Sequence, residues 1–424
     1  MHNRTYLIIL IMLLLVSCSP SNPEAEEQAL VNTIISQVEQ ELKSTIQKDT
    51  QTVIQKTATT KPNKIQPSKT PPPTPVTSKT PTDVAIIQAE KHGPKNFPAN
   101  INPLTGLPIF DPKKLDRRPI SIKVSNYPRG IRPQWGLSFA DHVFEYYHEA
   151  GLTRFNAIFY GEDANQIGPI RSGRFSDEDI VNMYNAFFAY ASADERVRKV
   201  FYKTGFYERT ASLSDTLCPP TPAEPLCRIE TDTWNHLVTD SEILYKHFEN
   251  EGVPNKKQNL DGLGFNPEIP DNSTSVDQFI VRFSRGSYHK WSYDKAYHTF
   301  FRYEDVSDAD SGQEVFKPTL DRLTGDVISA DNVIVLLARY RYYSKDPEMV
   351  KIDFDEGGTG FGFRDGKVYP IVWKRSSEAK LLAFTFEDGS LYSLKPGNTW
   401  IAIIGKSSDV SSEGLEWRFQ FRIP

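Results

Sequence analysis

Hydrophobic and polar positions fall into distinct regimes along the chain. From Tyr6 to Val16 apolar side chains run almost unbroken, behind the basic start Met1-His2-Asn3-Arg4 and ahead of Leu15-Val16-Ser17-Cys18. A charged start, an apolar core and small residues at a cleavage point are the layout of a secretory signal peptide. The run is about eleven residues, short of the roughly 20 that a helix needs to span a bilayer. From Glu24 to Gln55 the period changes: Leu30, Ile34, Val38, Leu42 and Ile46 recur every four residues, along one helical face. Such a face suits a partner or membrane surface, and equally a marginal helix in a stalk. Lys56 to Thr82 then has no period at all, with seven prolines, eight threonines, five lysines and no acid. That composition cannot offset its own ordering entropy and predicts an extended tether.

Alternation begins further on. Pro119 to Asn126 (PISIKVSN) reads as a strand, and Asp141–Glu149 with Thr153–Tyr160 as two strands across a turn at Ala150-Gly151. In the first of these two, alternation places Val143, Glu145, Tyr147 and Glu149 on one face, and His142, Phe144, Tyr146 and His148 on the other. Helical periodicity predicts a helix from Ser176 to about Phe188, capped by Ser176 with Asp179 reaching back. A second helix is expected over Ala193–Tyr202, and a third from Asp240 or Ser241 to Glu251 with Thr239 as cap. From Val276 the pattern is β: strands are expected at 279–283, 298–303, 332–341, 350–354, 360–364, 368–373, 382–386 and 399–404. Leu415-x-Trp417-x-Phe419-x-Phe421-x-Ile423 predicts a last strand at a sheet edge. The aromatics of this half, among them Tyr288, Trp291, Tyr340, Trp373 and Trp400, are expected to fill a β core; exposed ones could stack on glycan.

Several separated segments carry a resemblance to a known family. NPLTGLP (Asn102–Pro108), RPQ-x-GLS-x-AD (Arg132–Asp141), E-AG-LTRF (Glu149–Phe155) and IGPIRSGR (Ile167–Arg174) closely resemble the YerB-like bacterial lipoproteins. A looser likeness follows at Trp234–Thr239, where Trp234 replaces a proline. Further likeness appears at Asp321-x-x-Thr324-Gly325, Asn332–Val335, Phe363–Gly366 and Pro396-Gly397-x-Thr399-Trp400. The insert Ser212–Pro225 and the tail after Ile404 depart from the pattern. The resemblance implies an α+β fold, a layered β-β-α sandwich with an N-terminal α/β part and a β-rich C-terminal part. It implies no activity, since the family is one of unknown function. The four residues ending in Cys18 likewise resemble a lipobox, in which Cys18 would be diacylated. The expected organisation is a signal peptide over 1–17, a lipid-anchored stalk and linker over 18–96, and two folded parts over 97–272 and 273–424. The expected location is the extracytoplasmic face of the cell membrane.

Composition narrows the chemistry. A net charge of -5 spread thinly excludes the basic footprint of a nucleic-acid binder. Three cysteines are too few for a disulfide scaffold or a cysteine zinc site. Cys218 and Cys227, in an exported chain, should form a disulfide closing a surface loop. His142 and His148 lack the H-E-x-x-H spacing, so no metal is expected, and no cofactor motif is present. Arg171 and Arg174 flank Ser172 at the approach to a predicted helix start, where unpaired N–H groups favour anions. Arg132 and Arg154 are further candidates for one anion site, with Asp141, Glu145, Glu149 and His236 as polar partners. The opposing account is that these arginines pair with the acids and hold the fold together. Function is expected to be binding or scaffolding in the envelope, for wall glycan, an anionic polymer or a wall-synthesis protein. The alternative is an enzyme handling a phosphate- or carboxylate-bearing substrate around Arg171 and Arg174.

Overall fold

Strands dominate, and one strand region explains how the rest is arranged. The computed structural model describes residues 90–423 apart from 230–235, 272 and 310–311. The signal peptide, Cys18, the 24–55 helix and the tether lie outside the described residues. Strand β1 is Ile120–Ser125, β2 is His142–Glu149, β3 is Leu152–Phe159 and β4 is Phe187–Tyr190. The β2–β3 hairpin turns at Ala150 and Gly151, both at positive φ, as a two-residue hairpin requires. β1 pairs antiparallel with β3 and parallel with β4. β2 pairs antiparallel with β3 on one side and parallel with Thr399–Gly405 on the other. Thr399–Gly405 in turn pairs parallel with Asn332–Lys345, so twelve strands from both halves form one sheet. A second sheet of seven strands contains Gln278–Ser284, Ser287–Asp294, Thr299–Asp305 and Glu416–Gln420. The fold is a β-rich α+β.

Helix α1 is Phe175–Tyr184, α2 is Glu195–Lys203 and α3 is Ser241–Asn250. α1 begins one residue before the expected start and ends four before the expected end. Its N-cap is Arg174, and Asp177 accepts the Arg174 N–H at 2.6 Å. The Ser176 hydroxyl is taken by the Ile352 N–H at 3.0 Å, so it does not cap. Asn185, in the left-handed region, stops the helix, and 187–190 becomes β4 instead. α3 is capped by Asp240, not Thr239. The final strand, Glu416–Gln420, is not at the edge: it lies between Gln278–Ser284 and an outer strand, Asp409–Glu413. Ser287–Asp294 is a strand that the pattern did not announce. Cys218 and Cys227 are joined, with Sγ–Sγ 2.06 Å.

Aromatics do fill the core. Trp291, Trp373 and Trp400 are fully or almost fully buried, whereas Tyr297 and Tyr343 are exposed. Trp400 meets Phe155 and Trp291 edge-on at 5.1 and 5.5 Å, so side chains from the two expected parts pack on each other. Each such pair contributes about 0.5–1.5 kcal/mol beyond its buried area.

Candidate anion-binding site

The segment Gly168–Arg174 is threaded like a short strand beside β1. Arg171 N–H donates to the Lys123 carbonyl at 2.9 Å and Ser125 N–H to the Pro169 carbonyl at 2.8 Å. On its other side Gly173 N–H donates to the Ser192 carbonyl and Ala191 N–H to the Arg171 carbonyl. This fixes Arg171 and delivers Arg174 to the start of α1. Arg154, on β3 opposite Ser125 of β1, donates from Nη1 to the Ser172 carbonyl at 2.7 Å. Arg174 donates from Nη2 to Glu149 Oε1, and from Nη1 to the Gly173 carbonyl at 3.0 Å. Its Nε is buried with no hydrogen-bond partner.

Three guanidinium groups therefore share one neighbourhood, and they tax one another electrostatically. Burial pulls Arg154 down to about 9, and the charges of Arg174 and Arg171 pull the same way against Glu149 and Asp177. Arg171 is lowered by burial and by Arg174. His148 is pushed well below its ordinary value by burial and by Arg154. Burial opposes the ionisation of Glu149, yet its carboxyl falls to about 2. Its hydrogen bond with His148 and the charge of Arg174 hold it ionised.

Directly beneath lies a polar cluster that the sequence reading missed. Lys123 of β1 is fully buried, with Nζ 2.9 Å from Asp177 Oδ1 and a hydrogen bond to the Tyr146 hydroxyl. Tyr146 also donates to Asp177, and Asn156 Nδ2 does so at 2.9 Å. Burial lowers Lys123 to about 7 against the pull of Asp177, with Arg154 and Arg174 adding to the lowering. Glu149 pairs with Arg174 and, at 4.0 Å, with Arg154, while Asp177 pairs with Lys123. Ser121, Lys123 and Ser125 alternate along β1 as solvent-facing residues would, yet the strand is buried on both faces.

The other expected residues lie elsewhere. Arg132 is buried and donates to the Asn126 carbonyl at 2.9 Å, the Asp305 carbonyl at 2.9 Å and Asp305 Oδ1 at 3.2 Å, so it fastens β-rich segments together. Glu145 does not share a face with Glu149, because the register shifts between Tyr147 and Glu149. Its carboxylate meets Arg302 at 3.1 Å, His289 at 3.3 Å, Trp400 Nε1 at 3.2 Å and Thr153 Oγ1 at 3.1 Å. Burial opposes its ionisation, but these partners hold it well below the usual carboxylate range. Asp141 stands at the opposite end of β2. His236 precedes Leu237, whose carbonyl accepts the Ile170 N–H at 2.7 Å. The Ser172 hydroxyl meets that of Ser192 at 3.2 Å. His142 is buried between the Tyr184 hydroxyl and the Leu104 carbonyl. Among the described residues no group of His, Cys, Asp or Glu could hold a metal ion, and no helix is long and apolar enough to cross a membrane.

This chain resembles known proteins in both sequence and fold. Residues 104–217 match the model described as "Protein of unknown function (DUF3048) N-terminal domain", and 279–401 match its C-terminal domain. The chain is 28% identical over 316 residues to "Putative lipoprotein YerB" of Bacillus subtilis (strain 168), covering 71% of this chain and 85% of that protein. The crystal structure of YerB from Bacillus subtilis superposes with a TM-score of 0.60 at 27% identity, over 72% of this chain and 96% of that one. The chain belongs to the YerB-like lipoprotein family, whose function is not established.

Proposed function

We propose that this protein is a lipid-anchored binding module of the bacterial envelope that captures an anionic group at Arg154, Arg171 and Arg174. In this reading Cys18 carries the anchor on the extracytoplasmic face, and residues 18–96 hold the body away from the membrane. The observation that carries the anion site is the electrostatic crowding of the three guanidinium groups, with the partly exposed Glu149 carboxylate beside them. Bringing like charges together costs free energy, and a bound phosphate or carboxylate relieves that cost. The N-terminus of α1 adds about half a positive charge at the same place. A layered sandwich agrees with the two sides of β2, where Glu145 meets Arg302 of the second sheet and Tyr146 meets Asp177 of α1.

The test is calorimetric titration of the full chain with a polyphosphodiester wall polymer, before and after the double change Arg171→Gln and Arg174→Gln. Affinity should fall at least about tenfold in the variant, and the wild-type affinity should weaken with added salt. A folded variant that binds unchanged ends the anion-site reading. Release of a cleaved product by the wild type would move the reading to the enzyme alternative.

A further inference from the structure

The far end of β2 presents different chemistry. Asp141 lies eight residues before Glu149, roughly 26 Å along the strand at about 3.3 Å per residue. There a cavity of about 340 Å³ opens, at the small end of the roughly 300–1,000 Å³ range of ligand pockets. Its floor is formed by Asn102, Asp141, Asp331 and Asn398. Asn102 Nδ2 donates to Asp141 Oδ1, while the Tyr160 and Gly161 N–H groups donate to Asp141 Oδ2 at 2.6 and 3.2 Å. Asn398 accepts the Asp331 N–H at 3.1 Å and donates to the Ser329 carbonyl at 2.9 Å, and Lys395 pairs with Asp331 at 2.8 Å. Glycine makes room for this packing: a Cβ on Gly397 would lie 1.9 Å from Asp331 Oδ2. The floor is thus rigid before any ligand arrives.

Leu107, Ile109 and Phe139 add apolar surface to the same lining. No lysine, arginine or histidine is among its described lining residues, so an anion would find no counter-charge. The lining carboxylates Asp141, Asp331 and Glu162 outnumber Lys395, the cation paired with Asp331, so a ligand here has to offer hydrogen-bond donors. What the cavity offers is oxygen acceptors with spare lone pairs, set against an apolar surface. Acceptors buried under a purely hydrocarbon ligand would lose their water without replacement. A pyranose ring answers both features, with hydroxyl donors around its edge and a C–H face for the apolar surface.

We propose that this cavity binds a neutral pyranose sugar, independently of the arginine site. The experiment titrates the full chain with neutral oligosaccharides (tetramers of N-acetylglucosamine, glucose and mannose) and with the amine-bearing glucosamine tetramer. At least one neutral tetramer should bind, and Ser138→Trp should weaken it by about tenfold or more by filling the cavity. Ser138 is exposed, and its contact to Asp321 is made by the backbone N–H, so the variant keeps its fold; its melting temperature checks this. Glu162→Gln at the rim should leave binding within about threefold, since a neutral ligand needs no charge there. The Arg171→Gln and Arg174→Gln pair should leave sugar binding unchanged, which separates this proposal from the anion site. The proposal is overturned if no neutral tetramer binds, if only the glucosamine tetramer binds, or if folded Ser138→Trp binds as well as wild type.

Discussion

Lys123 sets the residue-scale problem: a lysine with no exposure, in a strand whose two faces are both covered. It is tolerated because Asp177 stands 2.9 Å away and Tyr146 completes its coordination. Removing one partner of a buried pair leaves the other charge uncompensated, at a cost of about 3–5 kcal/mol. Lys123→Met should therefore lower stability by about that amount in urea unfolding, and a further Asp177→Asn change should recover part of it. A loss below about 1 kcal/mol would mean that Asp177 is satisfied without the lysine. Asp141 makes a prediction with the opposite electrostatic sense. Burial raises its carboxyl to about 6, outweighing the donors from Gly161, Tyr160 and Asn102. Between pH 4 and 6 the folded chain then holds a proton that the unfolded chain has lost. The unfolding free energy contributed by Asp141 is present below about pH 4 and lost as pH rises through 6, by roughly 2–3 kcal/mol in all. Asp141→Asn should flatten that part of the pH–stability curve. An unchanged slope in the variant would show that Asp141 titrates normally.

At the scale of elements, alternation and periodicity located most strands and the three α-helices among the described residues, because an element facing a core on one side has to repeat with its own period. What they missed has tertiary causes. Ser176 has the sequence look of a helix cap, but Ile352 from a distant strand takes its hydroxyl, and Asp177 secures Arg174 instead. Ala186–Tyr190 is a short apolar run, which periodicity cannot assign to helix or strand; Asn185 decides it by leaving the helix. Ser287–Asp294 escapes the pattern because polar Ser287 and His289 take buried positions beside Tyr288 and Trp291. The candidate site was legible to the same degree. IGPIRSGR showed two arginines near a helix start, and Arg154 could be placed on an adjacent strand. Lys123 beneath them could not be read, since a lone lysine in an alternating strand is normally solvent-facing. Nor could the separation of Glu145 from Glu149, because a register shift leaves no mark on the alternation around it.

For the whole molecule, the expected boundary at 272/273 and the two matched regions divide the sequence more cleanly than the structure. Thr399–Gly405 is the direct neighbour of β2, so cutting the chain there would open the twelve-stranded sheet along five paired positions from His142 to Tyr146. The cut would also strand buried charges. Glu145 would lose Arg302, Arg132 would lose Asp305, and Asp179 would lose Arg375, 2.9 Å away. The Gly136 and Ser138 N–H groups would lose the Asp321 carboxylate, at 2.9 and 2.8 Å. Exposed strand edges and unpaired buried ions each oppose folding of a separate half. The folded body should accordingly unfold in one calorimetric transition, with a van't Hoff enthalpy about equal to the calorimetric one. Fragments 97–272 and 273–424 should show no cooperative transition when expressed alone, and mixing them during refolding should restore near-ultraviolet circular dichroism from the Trp291, Trp400 and Phe155 contacts. A cooperative transition in either fragment by itself would mean that the shared sheet is a docking surface between two independent domains.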